Sequence, residues 1–139
     1  MLNQKQIDKY RDKTISPQKL FIDGAWIDGS GDDFEIVSPI NGKKFTFIKR
    51  ATVSDMEMAI KSARTSFDKG SWSNMAPTQR KKILHKLADL IERDALELTV
   101  LGVRDNGTEI NMAINAEAGS AVGTFRYYAE CIDKVYGEI

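Results

Sequence analysis

The chain has 139 residues, 42% of them hydrophobic and 29% charged, which is the balance of one globular domain and excludes disordered or low-complexity readings. Its 20 Lys+Arg cancel its 20 Asp+Glu, so no global field favours phosphate backbones or anionic lipid, and no local basic patch takes its place. One cysteine and one histidine exclude an internal disulfide and a Cys/His metal site.

The opening stretch MLNQKQIDKYRDKT is charged and lacks an apolar core, so no secretory signal is expected there. No apolar run approaches the roughly 20 residues of a bilayer span, and a reducing, cytoplasmic setting is the expectation. Residues 1–19 read as a polar arm, in which Leu2 to Thr14 is either a short helix or extended. Residues 20–139 read as the domain. Within it, Leu20-Phe21-Ile22 and Ala25-Trp26-Ile27 flank Asp23-Gly24, the dipeptide suited to a two-residue hairpin. A loop rich in Gly and Asp runs from Asp28 to Asp33. Phe34 to Val37 then predicts a strand that ends at Ser38-Pro39, Asn41-Gly42 a second turn, and Phe45 to Ile48 a further strand.

The remainder predicts helices. Ser54 and Glu57 have the spacing of a capping box, and Met56, Ala59, Ile60, Ala63 and Phe67 form a stripe expected to be buried, closed by Gly70. Pro77 suits the first turn of the next helix. Ile83, Leu84, Leu87, Leu90 and Ile91 form its apolar face, with Arg80, Lys81, Lys82 and Lys86 solvated opposite. Asp94 and Glu97 repeat a cap-like spacing, which predicts a break near Asp94. Leu96, Val100, Leu101 and Val103 continue to Asn106-Gly107, a helix C-cap. A last helix is expected from about Asn111 to Val135, with Ile114, Ala118, Ala121, Val122, Phe125, Ala129 and Ile132 as its stripe. The expected fold is α+β and mainly helical: a small antiparallel β-meander followed by about four helices.

Few residues here invite chemistry. Cys131 and His85 suggest a nucleophile and base, but Cys131 falls near a helix C-terminus, where a thiolate is disfavoured, and His85 falls on a solvated helix. Both read as structural. Gly119 and Gly123 could admit a close-packed helix or reflect packing within the fold. No glycine follows a strand and opens a helix, as a phosphate-cradling loop requires. Asp105-Asn106-Gly107 could ligate a hard cation or merely cap and turn, and spacing favours the cap. No catalytic or cofactor-binding residue is assigned.

Leu20-Phe21-Ile22-Asp23-Gly24-Ala25-Trp26 followed by Val37-Ser38-Pro39-Ile40-Asn41-Gly42 resembles the opening of NAD(P)-dependent aldehyde dehydrogenases. The resemblance continues through Ala59, Ala63-Arg64, Phe67, Trp72-Ser73, Arg80, Leu87 to Glu92, Asp105-Asn106-Gly107 and Arg126-Tyr127-Tyr128-Ala129. The segments Arg11-Asp12-Lys13, Phe67 to Ser73 and Arg126 to Glu138 look most similar to the gamma-glutamyl-gamma-aminobutyraldehyde dehydrogenases. Ser38-Pro39 stands where the family usually has Asn-Pro, and Val103-Arg104 where it often shows Thr-Leu.

The resemblance implies the N-terminal portion of a longer enzyme that oxidises aldehydes to acids with NAD or NADP. It places the family's catalytic cysteine, general base and Gly-rich cofactor motif beyond Ile139, so Cys131 is not that cysteine. It also implies a structural cation, held by main-chain oxygen near Ile36 and Val37 and by the Asp105 carboxylate. This chain is then expected to be inactive alone and to bind no cofactor. Its expected partners are a second copy or the missing C-terminal part, with neither nucleic acid nor membrane. The competing expectation is a stand-alone helical interaction module derived from a decayed dehydrogenase gene.

Overall fold

The computed structural model describes residues 3–136, and the chain divides into two units, residues 14–74 and residues 3–13 together with 75–136. The Asn3 side chain accepts from the Lys5 N–H and starts α1 (Gln4–Arg11), so the polar opening stretch is a helix. Leu2, part of that expectation, lies outside the described residues, as do positions 137–139.

In the unit of residues 14–74, β1 (Leu20–Ile22) pairs antiparallel with β2 (Ala25–Ile27). Asp23 and Gly24 take φ of 53° and 76°, the left-handed pair that a two-residue hairpin demands and that Asp-Gly tolerates. β3 (Asp33–Val37) pairs with β4 (Lys44–Lys49), and the register shifts between Ile36 and Val37. The expected meander is therefore two separate hairpins, joined to no common sheet, while Gln18 bridges Ile48 in parallel sense. The loop before β3 lies against the end of β4. Gly31 N–H donates to the Arg50 carbonyl at 2.9 Å, and a Cβ on Gly29 would stand 2.5 Å from the Lys49 and Arg50 carbonyl oxygens. Only glycine fits at position 29.

Helix α2 (Val53–Lys69) begins at Thr52, not Ser54, and its capping box is Thr52 with Asp55 rather than Ser54 with Glu57. Both pairs have the same spacing. Asp55 is the acid that also reaches a second segment, through Ser30, and this fixes the boundary. Gly70 closes α2 as expected, and α3 (Ser71–Asn74) follows. The stripe expected to be buried is not. Met56, Ile60 and Phe67 are exposed, Phe67 to 67%, while Ala59 is half-buried and the hairpin's Ile22 is buried. The period was legible, but among the described residues the strand chiefly packed on this helix is β1, and a three-residue strand covers only part of one face.

In the other unit, α4 (Pro77–Arg93) carries Pro77 in its first turn, and α5 (Ala95–Asn106) follows the break at Asp94. The break is where it was expected, without the cap chemistry. Asp94 pairs with Arg93, and Glu97 accepts from Lys13 Nζ at 2.5 Å, which ties the end of the N-terminal segment to α5. Arg104 adds a donated bond to the Lys13 carbonyl at 2.7 Å. Gly107 takes φ 78° and closes α5 as a left-handed C-cap.

The last helix is α6 (Ile110–Ala113), a π-helical turn at Ile114–Gly119, and α7 (Ser120–Cys131). It ends four residues before Val135, which is exposed. The buried positions are Ala113, Ala118, Val122 and Ala129. The step from 113 to 118 is five residues, so a wider turn is needed to keep both on one side. The expected stripe, counted at 3.6 residues per turn, takes Ile114 in place of Ala113. Helix α4 packs mainly on α7, and its fully buried residue is Ala88, while Leu84, Leu90 and Ile91 are half-buried and Ile83 and Leu87 are exposed. Arg80 and Lys81, expected to be solvated, are half-buried, whereas Lys82 and Lys86 are exposed.

Thr99 is completely buried in α5, and its hydroxyl has no hydrogen-bond partner among the described residues. A buried hydroxyl without a partner costs its desolvation. Thr99→Val keeps the shape and removes that cost. Urea denaturation should show the variant to be more stable by about 1 kcal/mol.

Candidate functional site

The best-organised polar centre lies in residues 14–74. Asp55 is the charged side chain that is buried among the described residues, with 3% of its surface exposed. Its Oδ2 accepts from the Thr52 N–H at 2.8 Å, the Ser30 N–H at 2.9 Å and the Thr52 hydroxyl at 3.0 Å, and its Oδ1 accepts from the Ser30 hydroxyl at 2.8 Å. The Thr52 and Ser30 backbone N–H groups, with the Ser30 hydroxyl, hold this carboxyl well below the usual carboxylate range. A carboxylate held that far below its usual range, with its oxygens already accepting from four donors, is too weak a base to serve as a general base. It fastens the loop before β3 to the first turn of α2.

The sequence offered Cys131 and His85. His85 Nε2 lies 2.9 Å from Glu130 Oε1, and Lys81 pairs with the same carboxylate. Lys81 first, then His85, lowers the Glu130 pKa. Cys131 is the half-buried last residue of α7. With His85 engaged by Glu130, the two do not make a nucleophile–base pair of the kind a thiolate mechanism needs. The cluster joins α4 to α7, and Arg126 repeats the link through Asp89 at 3.1 Å and Glu92 at 2.6 Å.

Asn106 follows the capping reading. Its Oδ1 accepts from the Thr108 N–H at 2.8 Å, and its Nδ2 donates to Glu117 Oε1 at 2.9 Å. Glu117 stands in the π turn, and its carboxylate occupies the space that a Cβ on Gly102 would fill. The π turn, Gly102 and the end of α5 are thus one assembly. The sequence signalled its cap but not the Glu117 partner. Asp105 is exposed in the last turn of α5, while Ile36 and Val37 lie in β3, in the other unit, where the register shifts. Among the described residues no group of three or more His, Cys, Asp and Glu side chains could hold a metal ion. A Cβ at Gly123 would meet nothing within 4 Å, and one at Gly119 would meet only the Ile114 carbonyl, so among the described residues this pair seats no helix.

An open cleft of about 370 Å³ runs beside the β1–β2 turn, lined by Phe21, Asp23, Ala59, Ser62, Ala63 and Ser66. Its floor is small side chains, and Asp23 is its one ionisable group. It can take up apolar surface but holds no acid–base pair. Among the described residues no glycine opens a helix after a strand: Gly24 and Gly42 are in hairpin turns, Gly29 and Gly31 lie in the loop between β2 and β3, Gly70 and Gly107 end helices, and Gly102, Gly119 and Gly123 lie within helices. These residues do not fit a dinucleotide pyrophosphate. No described helix is long and apolar enough to cross a membrane.

Residues 26–139 match the aldehyde dehydrogenase family. The chain is 42% identical over 127 residues to an aldehyde dehydrogenase of Aspergillus niger, covering 91% of this chain and 25% of that protein. It is 36% identical over 142 residues to the NADP/NAD-dependent aldehyde dehydrogenase PuuC of Escherichia coli, covering 99% of this chain and 29% of that protein. The crystal structure of gamma-glutamyl-gamma-aminobutyraldehyde dehydrogenase from Burkholderia cenocepacia superposes with a TM-score of 0.91 at 31% identity, over 99% of this chain and 28% of that one. The chain therefore spans between a quarter and three-tenths of the length of these relatives, over their N-terminal part.

Asp55→Ala removes the carboxylate half of the capping box and the Ser30 tether together, while the Thr52 hydroxyl can still accept from the backbone N–H of position 55. It should lower the melting temperature by roughly 5 °C at neutral pH. Because the folded-state pKa is depressed, this stabilisation is present above the ordinary aspartate pKa of about 3.9 and is lost as pH falls below it. Melting curves of wild type and variant should therefore converge as the pH is lowered through that range.

Proposed function

The chain belongs to the aldehyde dehydrogenase family, and on that premise we propose that it is the N-terminal portion of an NAD(P)-dependent enzyme that oxidises aldehydes to acids, inactive as this short chain. The observation that carries the proposal is coverage: nearly all of this chain aligns with little more than a quarter of its relatives. The described residues offer neither an activated cysteine nor a strand–glycine–helix turn, which supports placing chemistry and cofactor outside them. A gamma-glutamyl-gamma-aminobutyraldehyde-type substrate is the proposed class for the whole enzyme. The structural cation at Ile36, Val37 and Asp105 is carried as a feature of that whole enzyme.

Self-association is part of the same proposal. Helices α4 and α7 pack on each other and bury Val122, while Leu84, Ile91 and Phe125 are half-buried and Leu87 is exposed. Exposed apolar surface lies on both units: Phe21, Trp26, Met56, Ile60 and Phe67 in residues 14–74 and Met112, Tyr127 and Tyr128 in residues 75–136 are all more than half exposed. Contiguous apolar patches favour association. The same surface favours the second reading, an interaction module without chemistry. In-frame coding sequence beyond Ile139 supports the enzyme portion, and a stop followed by an unrelated gene supports the module.

Purified protein should reduce neither NAD nor NADP with any aldehyde, and calorimetry should detect no micromolar dinucleotide binding. Turnover that Cys131→Ala abolishes would overturn this. Light scattering over a range of concentrations should give masses above 15.6 kDa, and a constant 15.6 kDa would exclude association.

A further inference from the structure

The chain holds two Asn-Gly pairs whose surroundings differ, and we propose that Asn41 is a site of spontaneous deamidation, while Asn106 is protected by the fold. The chemistry needs only water. The Gly42 amide nitrogen, having lost its proton to solvent base, attacks Asn41 Cγ. The N–Cγ bond forms, the Cγ–Nδ2 bond breaks, and Nδ2 leaves as ammonia after taking a proton from water. Water then opens the resulting succinimide at either carbonyl, leaving aspartate or isoaspartate at position 41. Glycine at the following position speeds the attack because no side chain shields its nitrogen.

Both asparagines accept an N–H from two residues on, Asn41 from Lys43 at 3.0 Å and Asn106 from Thr108 at 2.8 Å, so each carbonyl is polarised alike. Both glycine N–H groups are also hydrogen-bonded. Gly42 donates to the Ser38 carbonyl at 2.8 Å, and Gly107 donates to the Val103 carbonyl at 2.9 Å. What differs is the structure that must open to release them. Gly42 sits at φ 65° in an exposed turn between two strands, and only that turn has to fray.

Gly107 caps a twelve-residue helix, and freeing its nitrogen undoes the last turn of α5. The leaving nitrogen of Asn106 is itself held, because Nδ2 donates to Glu117 Oε1 at 2.9 Å. Glu117 is half-buried, with its other oxygen seated over Gly102. Deamidation at position 106 would also set a new carboxylate directly against Glu117, so the product is disfavoured as well as the path to it. At position 41 the new charge arises two residues from Lys43, which favours it.

The test incubates the whole folded protein at mildly alkaline pH and follows the one-dalton gain of each Asn-Gly peptide by mass spectrometry, with the urea-denatured chain as reference. Folded protein should modify Asn41 at least about tenfold faster than Asn106. In urea the two rates should approach each other. A folded ratio no larger than the denatured ratio overturns the proposal. Asn41→Gln should abolish the gain in the first peptide. Glu117→Ala should raise the Asn106 rate several-fold while leaving Asn41 unchanged, and an unchanged Asn106 rate removes the protective role of Glu117.

Discussion

Everything in residues 75–136 depends on how closely α4 and α7 approach. Ala88, Ala113 and Ala129 are sealed completely from solvent, and Ala118 nearly so. Such burial requires helix backbones near enough that a methyl group fills the gap between them. A larger side chain at any of these positions would push the axes apart. The ion pairs of Glu130 with Lys81 and of Arg126 with Asp89 and Glu92 lie at the edge of this seam and are largely exposed. Pairs of that kind contribute little energy. Their use is to set which faces meet, once the alanines have allowed the approach.

Residues 14–74 solve a different problem. Two short hairpins and one long helix cannot enclose a large apolar centre, and Ile22 is their buried large apolar side chain among the described residues. A polar knot stands in its place. Asp55 gathers the start of α2 and the loop before β3 through four donors, and that loop in turn lies on β4 because Gly29 and Gly31 leave room. The consequence is a unit whose geometry is set by directed hydrogen bonds, with its bulky apolar groups turned outward.

Legibility in the sequence followed the range of each interaction. Asp23-Gly24, Pro77 and Asn106-Gly107 were readable because each acts on its own backbone. The α2 cap was not, because Thr52 to Asp55 and Ser54 to Glu57 carry the same local code and the choice is made by Ser30, more than twenty residues away. The α2 stripe shows the same limit: periodicity reports that a face is apolar, not that a neighbour exists to cover it. The five-residue step through the π turn is invisible to a count of 3.6. As for the site, residue chemistry alone identified no reactive centre. Ile36 and Val37 came from family resemblance alone, because main-chain ligands leave no mark in side-chain composition, whereas Asp105 was visible as a carboxylate at a helix end but read first as a cap.

The π turn has an implication for how this helix tolerates insertions and deletions. A π turn is an α-helix that carries one residue more than its hydrogen bonding needs. Removing any residue between Ile114 and Gly119 would restore a regular helix and turn everything before it by about 100° relative to α7. Ala113 would then rotate away from the side shared with Ala118 and Val122. Glu117 would move off Gly102 and release Asn106. The extra residue lets one helix meet α5 through α6 and the π turn and α4 through α7, so chain length through this segment matters more to the packing than the identity of most residues in it.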